Sequence, residues 1–496
     1  MNNEGFLLGL DIGSSSVKAA LVDSATGRAV AQAQSPEVEM SIDAPHPSWA
    51  EQDPEQWWNH ARICIKKCLA QIEPKRVRAI GIGYQMHGLV LVDKDLKPLR
   101  SSIIWCDSRA VEIGKKAFED LGEQYCLQHF LNSPGNFTAS KLKWVQQNEP
   151  EIYRKIHKIM LPGDYIALKL TGQPLTTSTG LSEGIFWDFP ANAVSKKLTD
   201  YFGFDSELIC EQADVFSNQG KLNSKVAEEL GLSADTVVSY RSGDQPNNAL
   251  ALGVVNPGEA AANGGTSGVV YSVTDRDVFD PKSRVNTFLH VNHRKDQKRN
   301  GVLLCVNGTG ILNSWLRKNL SSSSYENMNT LAASVEVGSG GLSFVPFGNG
   351  AERILENKVS QASLHGLDFN RHSQAHLFRA AQEGIAFAFN YGFEILSAMG
   401  VSTQTIKAGD GNLFLSPVFR EAFVNTMNVK LELYDTNGAI GAALGAGVGA
   451  GIYNSVSEAL AGLNKRSEII PVKEKAEMYK EAYIRWKNKL HELNLI

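Results

Sequence analysis

The sequence predicts an α/β protein made of two copies of one domain, with a ligand cleft between them. Three observations carry that expectation. The chain opens on two apolar stretches, residues 6–10 and 17–22, that flank a polar turn running from Asp11 through Gly13, Ser14, Ser15 and Ser16. Roughly 250 residues later, 258–268 leads into the apolar run 269–273 and repeats strand, Gly/Thr/Ser turn, strand. Strand and helix signals alternate around both hairpins, and 496 residues are more than one hydrophobic core usually holds. A repeated module at matching places implies duplication, and paired domains hold ligand in the cleft between them. The boundary is expected near the second strand-to-helix junction, giving domains 1–243 and 244–496.

The first hairpin also predicts a ligand. Backbone N–H groups and three hydroxyls face into such a turn, and anions bind these concavities. The Asp11 carboxylate would repel a phosphate unless a divalent cation lay between them, so the turn suggests a Mg-nucleotide. Further along, Asp53 followed by Pro54 is an N-cap and a first helical residue, and the helix should run to about Gln71. Residues 77–84 read as a buried strand ending at Gln85-Met86-His87-Gly88. Residues 89–92 and 102–105 read as further strands, and 110–170 as mainly helical.

In the second half, 237–240 is a strand, Gly243 permits a sharp turn, and a helix starts near Pro246. A long helix is expected over 373–398. Another lies within 414–427, after the turn Gly409-Asp410-Gly411-Asn412. Gly441, Gly445 and Gly449 recur every four residues on a later helix, which reads as close packing against a neighbour. Residues 474–496 read as a charged amphipathic helix.

Composition narrows the function classes. Apolar residues make up 43% and charged residues 21%, as in a globular chain, and the formal net charge of −4 argues against a broad nucleic-acid or acidic-membrane surface. No basic, apolar leader opens the chain. The longest apolar stretch, 439–452, is short and rich in Ala and Gly, so no membrane span is expected. The six cysteines show no CxxC or metal-ligand spacing, which fits a reducing, cytoplasmic compartment; Cys64 and Cys68 read as small core residues. His290 with His293, and His372 with His376, have spacings seen in metal sites but lack a third ligand.

Chemistry concentrates at strand ends. Asp244 reads either as a helix N-cap or as a general base facing the cleft, its ionised form favoured by the helix dipole. Phosphoryl transfer to a hydroxyl needs one such carboxylate. Gln85 and His87 end a buried strand, where α/β folds gather ligand-binding groups; His87 equally suits a local backbone carbonyl. Trp105 can stack on a sugar face. Asp107 can hold sugar hydroxyls or cap the helix that follows.

Together these positions resemble the FGGY family of carbohydrate kinases over nearly the whole chain. The stretches that carry the resemblance are HPSWAEQDPEQWW (46–58), GYQMHG (83–88), IIWCDSR (103–109), FTASKLKWVQQNEPEIY (137–153) and LPGDYIALKLTG (161–172), with the family's K-x-x-W element at Lys141 to Trp144. The resemblance implies duplicated ribonuclease-H-like domains, as in actin, Hsp70 and hexokinase. It also implies ATP and Mg2+ as cofactors, a sugar as acceptor, and a homodimer as a family-level expectation. The 46–58 and 85–88 segments point to D-xylulose.

Carried over by position, Asp244 is the base and Asp11 organises Mg2+. Ser14, Ser15, Ser16 and Lys18 surround the phosphates, and Gly265 and Thr266 form the second phosphate loop. Gly310, Gly409, Gly411 and Asn412 lie toward the adenosine. Gln85, Met86, His87, Trp105, Asp107 and Gln245 form the acceptor site. The chain departs from the family pattern at Gln245-Pro246-Asn247-Asn248 after Asp244, at Gly350-Ala351-Glu352-Arg353, at Asn263-Gly264, and at Gly409-Asp410-Gly411.

Two rival readings follow from the same residues: a kinase of this family for ribulose, fuculose or glycerol, and an actin- or Hsp70-like nucleotide switch. A Rossmann dehydrogenase is disfavoured, because the 11–16 turn lacks the glycines that let backbone approach a pyrophosphate.

Overall fold

The structure is a computed structural model and describes residues 5–320 and 324–496. Two sheets dominate it. The first contains β1 (Phe6–Ile12), β2 (Val17–Asp23), β3 (Ala29–Ser35), β4 (Val77–Tyr84) and β5 (Val237–Gly243), in the order β5-β4-β1-β2-β3. β1, β2 and β3 form an antiparallel meander, and β4 and β5 add in parallel beside β1. The second sheet contains β6 (Glu259–Gly264), β7 (Gly268–Thr274), β8 (Asn286–Leu289), β9 (Asn300–Val306), β10 (Thr405–Gly409), β11 (Lys430–Tyr434) and β12 (Lys465–Ile469). Its order is β8-β9-β7-β6-β10-β11-β12. Its central run β9-β7-β6-β10-β11 repeats the first sheet strand for strand, antiparallel among the first three and parallel among the last three. The duplication expected from the two hairpins is therefore present in topology as well as in sequence.

The elements form for local reasons. α1 (Pro54–Leu69) starts where Asp53 accepts the Glu55 N–H at 2.9 Å, and it buries Trp57, Trp58, Cys64 and Cys68 against the first sheet. The two thiols are ordinary core groups, bonded to the Val17 and Ala19 carbonyls. The stretch 110–170 is mainly helical, broken by the irregular segment 130–137 and by the short strand Lys158–Met160. It includes α2 (Thr138–Asn148) and α3 (Pro162–Thr171), and α4 (Ser178–Glu183) follows. α5 (Asp244–Ala251) leaves β5 directly. The second half adds α6 (Gly310–Asn319), α7 (Gln374–Ala398), α8 (Pro417–Met427), α9 (Gly438–Gly449) and α10 (Lys473–Glu492). A 3-10 turn, Asn412–Leu415, precedes α8, so the expected 414–427 helix is really two pieces.

α9 belongs to the second half by sequence but lies on the first sheet. Its glycine stripe is the cause. A Cβ on Gly441 would stand 2.6 Å from the Ala251 methyl, and one on Gly445 2.7 Å from the Tyr240 ring. On the opposing side, a Cβ on Gly9 or Gly81 would run into the Ala439 or Ala442 carbonyl. The glycines let helix and sheet backbones touch, as close packing requires.

Among the described residues, no helix is long and apolar enough to cross a membrane, and no group of three His, Cys, Asp or Glu side chains could hold a metal ion. His290 is buried against the Tyr271 hydroxyl, and His376 caps α7 through Ser373.

Candidate active site

The 13–16 turn is held from behind. β1 and β2 stay paired to Ile12 and Val17, and Gly13 N donates to Ser16 O at 3.1 Å to close the turn. Ser14 O accepts Gln52 Nε2 at 2.7 Å, and Ser15 O accepts Met40 N at 2.8 Å. Gln52 also accepts from Trp57 Nε1 and from Gln85 Nε2, so one buried amide joins the turn, α1 and the end of β4. Trp105, 53% exposed, donates its indole N–H to Ser14 Oγ at 3.3 Å. Its ring stands over the turn rather than in the depth of the cleft.

A cavity of about 340 Å³ opens between the halves. Asp11 and Lys18 line it from the first half, Gln245 from the start of α5, and Asn263, the 409–412 turn and Gly438 from the second half. Asp11 faces the N-terminus of α9, which Asn437 caps through the Ile440 N–H at 3.1 Å. A Cβ on Gly438 would sit 2.8 Å from Asp11 Oδ2 and 2.9 Å from Asn248 Oδ1. Both side-chain oxygens thus crowd Gly438, where only glycine leaves room. Burial raises the Asp11 pKa, with the Lys18 ammonium opposing it.

The second hairpin supplies a different wall. Gly265 O and Thr266 O accept the Gly310 and Ile311 N–H groups at 3.1 and 3.0 Å, so this loop caps the first turn of α6. A Cβ on Gly310 would collide with Gly265 O, which is why glycine stands there. The cavity wall runs past Asn263 and Val269, on the strands that flank this loop. Around Gly409 and Gly411 a Cβ would meet nothing closer than 4.0 Å, so that turn faces open space, and Asn412 takes a left-handed φ of 53°.

Asp244 is the first residue of α5, and the N-cap is Gly243. The side-chain cap that the sequence allowed for Asp244 is therefore not made. Gly243 has an ordinary φ of −52°; glycine is needed because a Cβ would strike Glu183 Oε2 and lie 2.6 Å from Met86 Cγ. The Asp244 carboxyl accepts from the Gln245 backbone and side chain. Burial, followed by the nearby Asp11 charge, pushes its pKa up to about 7.

Beside it lies the end of β4. Gln85 is buried, bonded through its backbone N–H to Ile12 O at 2.8 Å, and its Oε1 has no hydrogen-bond partner among the described residues. His87 takes a left-handed φ of 61°. Its ring meets Phe137 edge-on at 4.7 Å and tilts over Phe288 of β8 at 5.4 Å. Burial, then the Lys141 charge, pushes the imidazole pKa down to about 3, so it is neutral at physiological pH. Lys141 Nζ donates to His87 O and Ile104 O at 2.9 Å each. The Lys of the K-x-x-W element therefore holds the backbone of two strand ends.

Asp107 has a different job from the one its type suggested. Its oxygens accept Ala50 N at 2.6 Å and the Arg109 backbone and guanidinium at 2.7–3.0 Å, and the helix beyond starts without its cap. Four residues escaped the sequence reading. Gln52 sits inside a quoted stretch, but nothing local marked its role. Glu183 contacts both His87 and Gly243. Phe288 and Arg353 come from the second half. Arg353 reaches Asn286 Oδ1 at 2.6 Å and adds positive charge near His87.

Comparison with known proteins agrees with this architecture. The N-terminal domain of the FGGY family of carbohydrate kinases matches residues 6–251, and its C-terminal domain matches residues 260–450. A xylulose kinase of Klebsiella pneumoniae is 29% identical over 437 residues, covering 88% of this chain and 87% of its own. One from Haemophilus influenzae is 28% identical over 98% of this chain and 99% of its own. Among solved structures, a Brucella ovis xylulose kinase superposes with a TM-score of 0.88 at 27% identity, covering 99% of both chains. A Plasmodium falciparum glycerol kinase solved with ADP shares the fold, with a TM-score of 0.87 at 22% identity over 99% of this chain and 98% of its own. With both domain matches in chain order and two sheets of one topology facing a common cleft, this chain belongs to the FGGY family of carbohydrate kinases.

Proposed function

We propose that the protein transfers the γ-phosphoryl group of ATP to the terminal O5 of D-xylulose, with Asp244 as general base. The observation that carries this reading is the Asp244 carboxyl, poised near pH 7 between the Asp11 cradle and the polar ends of β4. A base tuned to the operating pH is most effective at taking a proton in the transition state. Gln85 Oε1 and His87 offer acceptors for the other sugar hydroxyls, and Trp105 covers the mouth.

The donor set at Asp11 suits Mg2+, which takes oxygen ligands and is commonly held by one or two carboxylates plus phosphate and water. Asp11 and Asn248 would hold it, and when bound it offsets the phosphate charge as transfer proceeds. Ser14, Ser15, Ser16, Lys18, Gly265 and Thr266 are assigned to the phosphates. Gly310, Gly409, Gly411 and Asn412 are assigned to the adenosine side. Asp244 takes the O5 proton as the oxygen attacks, and Gln245 keeps the carboxyl oriented through its two donors. We place the enzyme in the cytoplasm, on its cysteine content, and divide it at 243/244.

The choice of D-xylulose rests on the named relatives. Glycerol and gluconate kinases of the same fold support the second reading, a different sugar or polyol. An assay of ADP release over a panel of ketoses and polyols decides between them. D-xylulose should give the highest kcat/KM, and a higher value for any other acceptor replaces it.

A further inference from the structure

We propose that Glu183 is the positioning residue of the acceptor site. It fixes the strained backbone and the tautomer of His87, and it keeps Met86–His87 in register with Gly243–Asp244. This rests on the reading that the site takes a sugar.

The geometry is specific. Glu183 ends α4, is 2% exposed, and has no ion-pair partner among the described residues. Its Oε1 accepts the His87 N–H at 3.3 Å, and its backbone carbonyl bonds His87 Nδ1 at 3.0 Å. A carbonyl only accepts, so Nδ1 carries the ring proton and Nε2 is left as an acceptor for a hydroxyl donor. A left-handed φ is costly for a residue with a Cβ and persists only where neighbours enforce it. Here Glu183 holds the His87 N–H while Lys141 holds its carbonyl. The other carboxyl oxygen, Oε2, abuts Gly243, and Met86 packs on the same glycine. One side chain thus touches the strand end that binds the acceptor and the one that carries the base. Burial, with the Asp244 and Asp164 carboxyls adding to it, holds the Glu183 carboxyl pKa well above the ordinary carboxylate range. A glutamine would therefore preserve both its shape and its accepting oxygen.

The test compares wild type, Glu183→Gln and Glu183→Ala by steady-state kinetics with D-xylulose and ATP. It adds amide hydrogen exchange of His87 in protein labelled with 15N-histidine, the signal assigned by its loss in His87→Asn. Glu183→Gln should keep the sugar KM within about twofold, and Glu183→Ala should raise it about tenfold with the ATP KM unchanged, the scale of one lost buried hydrogen bond. The His87 amide should stay protected in wild type and Glu183→Gln and exchange faster in Glu183→Ala. If the alanine variant fails to fold, Glu183→Asp replaces it: the acid is kept but withdrawn from His87, and the same rise in sugar KM is expected. An unchanged sugar KM in the shortened variant, an equal rise in both KM values, or unaltered His87 exchange overturns the proposal. If wild type phosphorylates no sugar, the functional reading fails, while the exchange measurement still judges the clamp.

Discussion

At the residue scale, the site turns on where one proton can rest. As the proposed base, Asp244 must be ionised to accept it, and burial beside Asp11 raises its pKa to about 7. The kcat/KM for sugar should therefore rise with pH through about 7 and level off above it, with a cation beside Asp11 moving the midpoint lower. A flat profile between about pH 5 and 9 would remove Asp244 from the role. Asp244→Asn should cost about 10²–10⁴-fold in kcat, the usual worth of a positioned base; retention of more than a tenth of the rate contradicts it.

The same shift bears on stability. The folded pKa lies above the unfolded value of 3.8, so the folded state holds the proton more tightly between those values. Ionisation in that window costs stability, and the cost is complete above about 7. Asp244→Asn should then melt higher than wild type at about pH 8, with a smaller difference at about pH 5, in thermal scans without ligand. The motif at the end of β4 and the acid at the start of α5 were legible from sequence, because strand ends in α/β folds gather such groups. The partners that tune them were not. Asp107 looked like a hydroxyl ligand but is saturated by Ala50 and Arg109, a pairing that depends on chain 57 residues away.

At the element scale, the glycine stripe of α9 explains why a helix from the second half can serve as the back wall of the first. Gly81 faces the Ala442 carbonyl with no space for a methyl group. Gly81→Ala should destabilise the protein by about 1–3 kcal/mol, the range for overpacking a tight interface. Urea unfolding measures it, and an unmoved midpoint would show that helix and sheet separate freely. The stripe was readable as close packing from its four-residue spacing. Its target was not, because spacing says which face of a helix is smooth and not what meets that face. Gly243 carries a similar lesson: sequence suggested a turn, whereas side-chain crowding from Glu183 and Met86 is the reason for glycine.

At the scale of the whole molecule, the two halves are tied at both ends of the cleft. α9 seats on the first sheet, and edge strand β8 bonds the first half through Asn132 with Thr287 N at 3.1 Å and Ser182 with Leu289 N at 3.0 Å. Phe288 on that strand touches the His87 ring, so the second half contributes directly to the proposed acceptor site. Closure over bound sugar would exclude water as a competing acceptor. ADP release should therefore depend on sugar, with only a small background in its absence. Equal rates with and without acceptor would favour the nucleotide-switch reading.

By itself the sequence determined the two hairpins, their duplication, the start of α1 at Asp53-Pro54, the place of Asp11 at the first hairpin, and the positions of Asp244 and Gln85–His87 where strands end. All of these follow from short-range rules of turn chemistry, capping and hydrophobic period. Only the tertiary structure decided that Asp11 and Asn248 both crowd Gly438, that Glu183 braces His87 from 96 residues away, and that Arg353 and Phe288 cross from the other half. Those facts depend on which distant surfaces meet and how much water they exclude, and burial of that kind is what sets a carboxyl's pKa.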